Sequence, residues 1–183
     1  DNLRHRSGIE QAYRKAISQA KTEVIIANAY FVPGRKLRKA LVLAAKRGVK
    51  VQLLLQGKYE YFMQYYAARP VYGVLLAAGV EIHEYSASFL HAKVAVVDGQ
   101  WATVGSSNLD PLSLLLAREA NVSVQHRPFA ETLRSRLVFA MQHQGDRMDP
   151  AEYAERPFRQ RCFEWTAYAL MRMALKLQGR KYL

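Results

Sequence analysis

Short apolar stretches alternate with amphipathic stretches along most of the sequence, and this alternation constrains the fold more than any other feature. Strands are predicted at residues 22–31, 49–57 and 80–85. Helices are predicted at residues 7–20, 36–47 and 60–78. The last helix is expected to be interrupted around Arg69 and Pro70. An alternation of strands and helices is typical of layered α/β proteins, so we expect a mixed sheet flanked by helices on both faces.

The second half of the sequence continues this pattern and then changes character. A hairpin is predicted at residues 91–108, a strand at 120–125 and a helix at 129–143. We place the domain boundary after Gly145, which divides the chain into a lobe (1–145) and a helical tail (146–183). Asp1 is followed by no apolar run, so no signal peptide is expected and the chain is interpreted as part of a longer polypeptide. No stretch has the length and apolarity of a membrane-spanning helix.

The bulk charge points to an anionic partner. Lys and Arg number 27 against 15 Asp and Glu, a net charge of +12. Nucleic acid, an acidic membrane surface and phosphorylated substrates all remain open on this basis, as does a solvated basic surface without a partner. Cys162 is the single cysteine, so an internal disulfide and a cysteine metal cluster are excluded.

The stretch HAKVAVVDGQWATVGSSN contains polar residues within a predicted hairpin whose other residues are mostly apolar and are expected to be buried. His91 and Lys93 are two residues apart and are predicted to share one face of a strand. Asp98 and Gly99 predict a tight turn. Ser106 and Asn108 share a face of the returning strand if its extension continues past residue 107. The sequence therefore predicts an imidazole, an ammonium, a hydroxyl and an amide around one point.

These groups suit a tetrahedral phosphate. Lysine supplies positive charge, serine and asparagine supply neutral donors, and a neutral histidine can attack phosphorus to form a phosphohistidine. Lysine neutralises the phosphate charge in this scheme, so we expect no metal and no other cofactor. An HxK pattern on a strand also occurs without function, and the residues alone leave that alternative open.

The spacing of the hairpin residues resembles the HKD signature of the phospholipase D superfamily. The signature positions are His91, Lys93, Asp98, Gly105, Ser106 and Asn108. The surrounding segments are similar to the C-terminal half of bacterial cardiolipin synthases, and most similar to their B-type subfamily. These segments are EVIIANAYFVPG, WATVGSSNLDPLSL and REANV. The resemblance extends over roughly residues 1–145.

The resemblance implies a role for each signature residue. The catalytic set is His91, Lys93, Asp98 and Glu119, in which His91 is one of a histidine pair and Glu119 orients an active-site histidine. Lys93 and Asn108 bind the phosphoryl oxygens, with Ser106 as a secondary contact. Asp98 is expected to support the hairpin rather than to touch substrate.

Two further residues are candidates from their position alone. Asn28 and Tyr30 lie at the end of a predicted strand, where ligands often bind in α/β sheets, so both are expected to line the substrate pocket.

The sequence departs from the family pattern because it contains one HKD motif, whereas a complete site uses two. Either the second lobe lies elsewhere in a parent chain, or two copies pair by twofold symmetry, as single-motif relatives do. An isolated lobe is expected to be inactive.

The tail is basic and partly apolar. Residues 156–183 carry seven basic residues and one acidic residue. The predicted helix has a polar edge, which comprises Arg161, Glu164, Tyr168, Arg172 and Lys176. It is expected either to lie in the interface of an anionic membrane or to dock on the second lobe.

The function implied by the resemblance is a phosphatidyltransferase that makes cardiolipin from phosphatidylglycerol, with some phospholipase D hydrolysis. The enzyme is expected at the bacterial inner membrane, peripheral and on the cytoplasmic side. One alternative is a homodimeric HKD nuclease, although nucleic acid is the less favoured partner because a nuclease has no need of the apolar tail helix. The other alternative is an inactive module that binds anionic lipid.

Overall fold

A computed structural model describes residues 8–58 and 62–179 of the chain. Within these residues the strands are β1 (Glu23–Asn28), β2 (Lys50–Gln56), β3 (Glu81–Tyr85), β4 (Lys93–Val97), β5 (Trp101–Gly105), β6 (Asn121–Gln125) and β7 (Gly145–Arg147). The helices are α1 (Gly8–Gln19), α2 (Arg35–Lys46), α3 (Phe62–Leu76), α4 (Pro111–Leu116), α5 (Arg127–Gln144), α6 (Pro150–Ala154) and α7 (Phe158–Gly179).

The strands form one mixed sheet in the order β6-β5-β4-β1-β2-β3-β7. β1, β2 and β3 are parallel, because helices connect them, and the other neighbouring strands are antiparallel. One face packs its core against α1, α2, α3, α6 and α7. The other face packs against α5. The expected α/β fold with helices on both faces is therefore confirmed.

Four elements differ from the predictions. α3 is continuous through Pro70 rather than interrupted there, because Ala67, Val71 and Leu75 are buried on one side and their packing outweighs the local cost of proline. The predicted start of this helix at residue 60 lies outside the described residues. β1 ends at Asn28, three residues earlier than predicted, and α4 and β7 were not predicted.

The tail packs on the lobe through one side of α7. α7 contacts α3 and α4, while β7 pairs with β3. The predicted polar edge is wrong at Glu164, which is 1% exposed and faces inward. Its carboxylate accepts hydrogen bonds from Arg156 at 2.5 Å and from Gln160 at 3.0 Å. The predicted contributions of Lys176, Arg180 and Lys181 lie outside the described side chains.

A candidate phosphoryl-transfer site at the sheet edge

The β4–β5 hairpin forms where the sequence predicts it. Apolar residues of β4 and β5 fill the sheet, and a turn joins the strands with Asp98 and Gly99 at φ 53° and 61°. Gly99 adopts this left-handed conformation without a Cβ penalty, and aspartate is among the other residues that tolerate it. The Gln100 N–H closes the turn on the Val97 carbonyl at 3.0 Å. The other, open end of the hairpin carries the predicted phosphate-binding groups.

The loops at this open end meet the carboxyl end of β1. Asn28 of β1 is paired with Lys93 of β4, and the Ala29 N–H bonds the Ala92 carbonyl at 3.0 Å. The Val32 N–H bonds the Leu109 carbonyl at 3.0 Å. The segments that precede β4 and follow β5 are therefore both bonded to residues 28–32. The polar groups that these segments carry thus lie at the same end of the central strands, next to the carboxyl end of β1.

His91 and Lys93 are neighbours with different surroundings. His91 lies before the start of β4 and is exposed, whereas Lys93 begins the strand and is buried. The Lys93 Nζ donates to the His91 carbonyl at 3.0 Å. Lys93 thus places a positive charge beside the backbone of His91, and burial in low dielectric strengthens the field of this ammonium group. This arrangement leaves His91 open to a substrate or to a second lobe.

Glu119 links the two sides of the loop that follows β5. Its carboxylate accepts a hydrogen bond from the Ser106 hydroxyl and another from the Ser113 hydroxyl at 2.6 Å. The Ser106 Oγ also accepts from the Ala120 N–H at 3.1 Å. Among the described residues, no hydrogen bond joins Glu119 to His91. In this lobe, the contacts of the Glu119 carboxylate therefore hold the loop in place.

The side chain of Asn108 has an unused hydrogen-bonding group. Its Oδ1 is buried and has no hydrogen-bond partner within the described residues, while its backbone N–H donates to the Ser113 Oγ at 2.9 Å. A buried amide without a partner is costly, so such a group is a candidate for ligand binding. A half-turn of the amide brings Nδ2 to the same point, where it can donate to a phosphoryl oxygen.

Asp98 lies at the opposite end of β4 from Lys93. Its carboxylate accepts hydrogen bonds of 2.9 Å from the backbone N–H groups of Lys21, Thr22 and Glu23, and one of 2.8 Å from the Thr22 hydroxyl. Partial burial acts to raise the pKa of Asp98, but these hydrogen bonds outweigh it and lower the pKa. Asp98 thus fastens the hairpin turn to the start of β1, in keeping with a supporting role.

Asn28 and Tyr30 have different contacts. The Asn28 side chain is fully buried, and its Oδ1 accepts from the Leu109 N–H at 3.1 Å while its Nδ2 donates to the Ser107 carbonyl at 3.5 Å. These bonds favour a positioning role over direct contact with substrate. The Tyr30 ring lies edge-on to the His91 ring at 6.4 Å between centroids, which keeps Tyr30 a candidate for lining the site.

Ser113 is a site residue that the sequence analysis missed. It contacts both Glu119 and the backbone of Asn108, and it lies in α4. The signal for α4 was present, because Asp110 caps the Ser113 N–H at 3.1 Å and Pro111 is the first residue of the helix. The sequence LDPLS therefore marks a helix start directly after the HKD signature.

A match to a protein-family model shows the class of protein to which the chain belongs. The family model described as cardiolipin synthase, PLD-like domain matches residues 13–138. The chain therefore belongs to this family of phospholipase D-like domains, as the HKD spacing predicted.

Particular relatives and solved structures agree with this class. The chain is 52% identical over 137 residues to cardiolipin synthase B of Salmonella typhi, covering 75% of this chain and 33% of the relative. Nuc of Salmonella typhimurium, a phospholipase D family member, matches with a TM-score of 0.65 and 26% identity over 76% of this chain and 90% of Nuc. Phosphatidylserine synthase of Haemophilus influenzae shares the fold, with a TM-score of 0.68 and 12% identity over 95% of this chain and 43% of the synthase. The chain thus spans about a third of the length of the curated relatives it matches.

Proposed function

We propose that this chain is one lobe of a phosphatidyltransferase that makes cardiolipin from phosphatidylglycerol and also hydrolyses some phospholipid. The observation that carries this proposal is the position of exposed His91, buried Lys93 and the unpartnered Oδ1 of Asn108 in segments that are both tied to the carboxyl end of β1. The similarity to cardiolipin synthase B, at 52% identity, supports the choice of lipid over other phosphodiesters.

The proposed reaction proceeds in two displacements at phosphorus. The lone pair of one histidine, either His91 or its counterpart in the second lobe, attacks phosphorus. The bond to the glycerol oxygen breaks, and glycerol leaves with a proton from the other histidine. That other histidine then takes the proton of an acceptor hydroxyl, whose oxygen attacks phosphorus and displaces the first histidine. Lys93 and Asn108 stabilise the negative charge on the phosphoryl oxygens, and water as acceptor gives hydrolysis.

A second lobe is proposed to pack beside the open end of the hairpin. Val94, Val104 and Val122 form a row across β4, β5 and β6, and we name this row the valine patch. Val104 is 41% exposed and Val122 is 65% exposed, although both are apolar. An apolar row next to half a site supports a partner lobe there, because its burial stabilises association.

The source of the second lobe has two candidates. The chain covers 33% of cardiolipin synthase B and 43% of phosphatidylserine synthase, which supports a second lobe within a longer chain. It covers 90% of Nuc, which supports pairing of two copies. The homodimeric nuclease is therefore kept as a second candidate function, favoured by this coverage and by the net charge of +12.

Two assays with two proteins test the proposal. The chain alone, and a chimaera that we name the two-lobe protein, are each incubated with labelled phosphatidylglycerol and with DNA. The two-lobe protein is cardiolipin synthase B in which the region that matches this chain is replaced by residues 1–183. We expect labelled cardiolipin and glycerol from the two-lobe protein. DNA cleavage without a lipid product would reverse the order of the two candidates. Lipid binding without turnover by either protein would favour an inactive lipid-binding module.

We further propose a peripheral location on the cytoplasmic side of the bacterial inner membrane, where phosphatidylglycerol is accessible to such an enzyme. No helix within the described part of the chain is long and apolar enough to cross a bilayer. Fractionation of cells that express the two-lobe protein tests this location. Salt or alkali is expected to release the two-lobe protein from the membrane fraction. A protein that only detergent extracts would contradict the peripheral location.

A further inference from the structure

The side of α7 that points away from the lobe is apolar. Its exposed residues recur at helical spacing, and we name them the outward face of α7: Phe158, Cys162, Trp165, Ala169, Leu170 and Met173. Phe158 is 77% exposed, Trp165 54% and Met173 55%. The opposite side of the helix, which carries Glu164, Ala167 and Met171, is buried against the lobe. An exposed apolar stripe of this length is typical of an interaction surface.

The outward face of α7 lies on a different layer from the valine patch. α7 packs on α3, whose buried residues belong to the core on one side of the sheet. Val94 packs with the core on the other side, beneath α5, and Val104 and Val122 share its face because directly paired strand residues point the same way. A lobe bound at the valine patch would therefore leave the outward face of α7 uncovered.

The charges around the outward face select its partner. Arg161 and Arg172 are exposed and follow one edge of the face, since they are eleven residues apart on a helix, and exposed Arg159 lies near its N-terminal end. The one acidic residue among residues 158–174, Glu164, is buried and paired with Arg156. Tryptophan, leucine, methionine and phenylalanine bordered by arginines match the boundary between headgroups and acyl chains of an anionic bilayer.

We propose that the outward face of α7 docks on the surface of an anionic phospholipid bilayer, with the helix lying parallel to the membrane plane. This inference rests on the proposed function, because it specifies how the lobe reaches a lipid substrate. The outward face extends over residues 158–173 of α7, or about 24 Å at 1.5 Å per residue, so it provides an elongated contact. Arginines at the border bind lipid phosphates while the apolar side chains enter the acyl region.

The docked helix is also connected to the candidate site. α7 contacts α4, and α4 carries Ser113, which holds both Glu119 and the backbone of Asn108. Docking by the outward face therefore places α7 between the bilayer and α4, the helix that supports the phosphoryl-binding loop.

Vesicle binding by the 183-residue chain tests the proposal without any turnover. The vesicles contain phosphatidylcholine with or without phosphatidylglycerol, and some carry brominated acyl chains that quench tryptophan fluorescence. We expect Trp165 to be quenched, as measured in Trp101→Phe. We expect no quenching of Trp101, measured in Trp165→Phe, because Trp101 lies at the hairpin turn and contacts Tyr13 of α1.

Paired substitutions identify the face. Leu170→Gln combined with Met173→Gln is expected to lower binding to phosphatidylglycerol vesicles at least tenfold. The control is Leu43→Gln on α2, because Leu43 is 45% exposed and Leu170 is 48% exposed. Circular dichroism confirms that each variant is folded. Equal binding by all variants, or quenching of Trp101 but not of Trp165, would overturn the proposal.

Two further readouts separate this inference from its rivals and from the proposed function. Sedimentation of the same variants shows whether they dissociate a dimer instead, which would make a second copy the occupant of this face and would also overturn the proposal. Cardiolipin formation from phosphatidylglycerol dispersed in detergent is expected to survive Leu170→Gln in the two-lobe protein. Failure of the wild-type protein in that assay would count against the proposed function, whereas absence of vesicle binding by the wild-type chain would count only against docking.

Discussion

Lys93 places a cation at the first position of β4, where the strand pairing sets it opposite Asn28 of β1. Its side chain is 7% exposed and its ammonium donates to the carbonyl of His91. Holding a charged group in this position costs desolvation energy, which a stable protein tolerates when the charge has a use. In the proposed function, that use is to stabilise the negative charge on the phosphoryl group.

Removal of this charge gives the first prediction. Lys93→Met keeps most of the side-chain volume and removes the ammonium, so kcat in the two-lobe protein is expected to fall by about 10²–10³-fold. The rate of cardiolipin formation measures the effect. The folded state is expected to persist, because the methionine replaces a buried charge by an apolar group of similar length. A variant as active as the wild type would exclude Lys93 from the phosphoryl site.

Asp98 gives a prediction about stability and pH. Hydrogen bonds lower its pKa in the folded state, so the ionised carboxylate stabilises the fold. This contribution is fully present above the pKa of the unfolded chain, about 4, and is lost as the pH falls through the lower folded value. Asp98→Asn tolerates the positive φ of 53° but accepts fewer hydrogen bonds, so it is expected to lose about 1–2 kcal/mol at pH 7.

Urea denaturation between pH 7 and pH 2.5 measures this difference. The difference in unfolding free energy between wild type and Asp98→Asn is expected to become smaller at acidic pH, because protonation removes the same acceptors from the wild type. A difference that stays constant with pH would contradict the role assigned to the carboxylate.

At the scale of elements, close packing of β5 against the start of β6 holds the serine–asparagine loop. A Cβ on Gly105 would lie 2.3 Å from the Asn121 side chain and 2.5 Å from the Ala120 carbonyl. The Asn121 Oδ1 also accepts from the Ser107 N–H at 3.3 Å, so any movement of Asn121 disturbs the loop. The glycine of the signature is therefore required by packing of the strands rather than by its dihedral angles.

Gly105→Ala is expected to cost about 1–3 kcal/mol of unfolding free energy, because the strands or the Asn121 side chain must shift. It is also expected to lower transferase activity through the displaced loop. Gly34→Ala is the matched control, because nothing lies within 4 Å of a Cβ at that position. Its effect is expected to stay within about 1 kcal/mol. Thermal melts and activity assays on both variants check the comparison, and equal stability of the two would refute it.

The sequence predicted accurately those elements whose signals lie within the element itself. Periodicity identified α1, α2, β2 and β3 almost to the residue, because each buries one face of regular spacing. The continuity of α3 through Pro70 was missed because packing on the sheet decides it. The inward direction of Glu164 was missed because the packing of α7 on α3 decides which side of the helix is buried.

The candidate site was predictable from its signature spacing, but its geometry was not. Strand alternation predicted that the side chains of His91 and Lys93 share a face, whereas His91 lies outside β4 and is exposed. The loop after β5 leaves the hairpin to reach the end of β1, as the bond from Val32 to Leu109 shows. Such long-range contacts bring Asn108 towards Lys93, and no local pattern encodes them.

At the scale of the molecule, the sheet order separates two exposed apolar surfaces. The valine patch lies on the α5 side beside the open hairpin, and the outward face of α7 lies on the other layer. In the proposed function, the first surface completes the site with a second lobe and the second holds the lobe on its membrane. The two surfaces are therefore expected to respond independently to substitution.

A charge on the valine patch tests lobe pairing. Val122→Asp is expected to lower transferase activity of the two-lobe protein at least tenfold, because a buried unpaired charge would oppose the contact. Leu43→Asp, on the other layer, is the control and is expected to leave activity unchanged. Vesicle binding through α7 is expected to be equal in both. Wild-type activity in Val122→Asp would place the second lobe elsewhere.

The central claim is that His91 acts at phosphorus as one of a pair of histidines. The most direct test is the release of glycerol from phosphatidylglycerol by the two-lobe protein, compared between the wild type and His91→Asn. The imidazole is exposed, so this substitution is expected to leave the fold intact. We predict a decrease in rate of about 10⁴-fold or more, because both displacements require the histidine pair. Release of glycerol at the wild-type rate by folded His91→Asn would contradict the account.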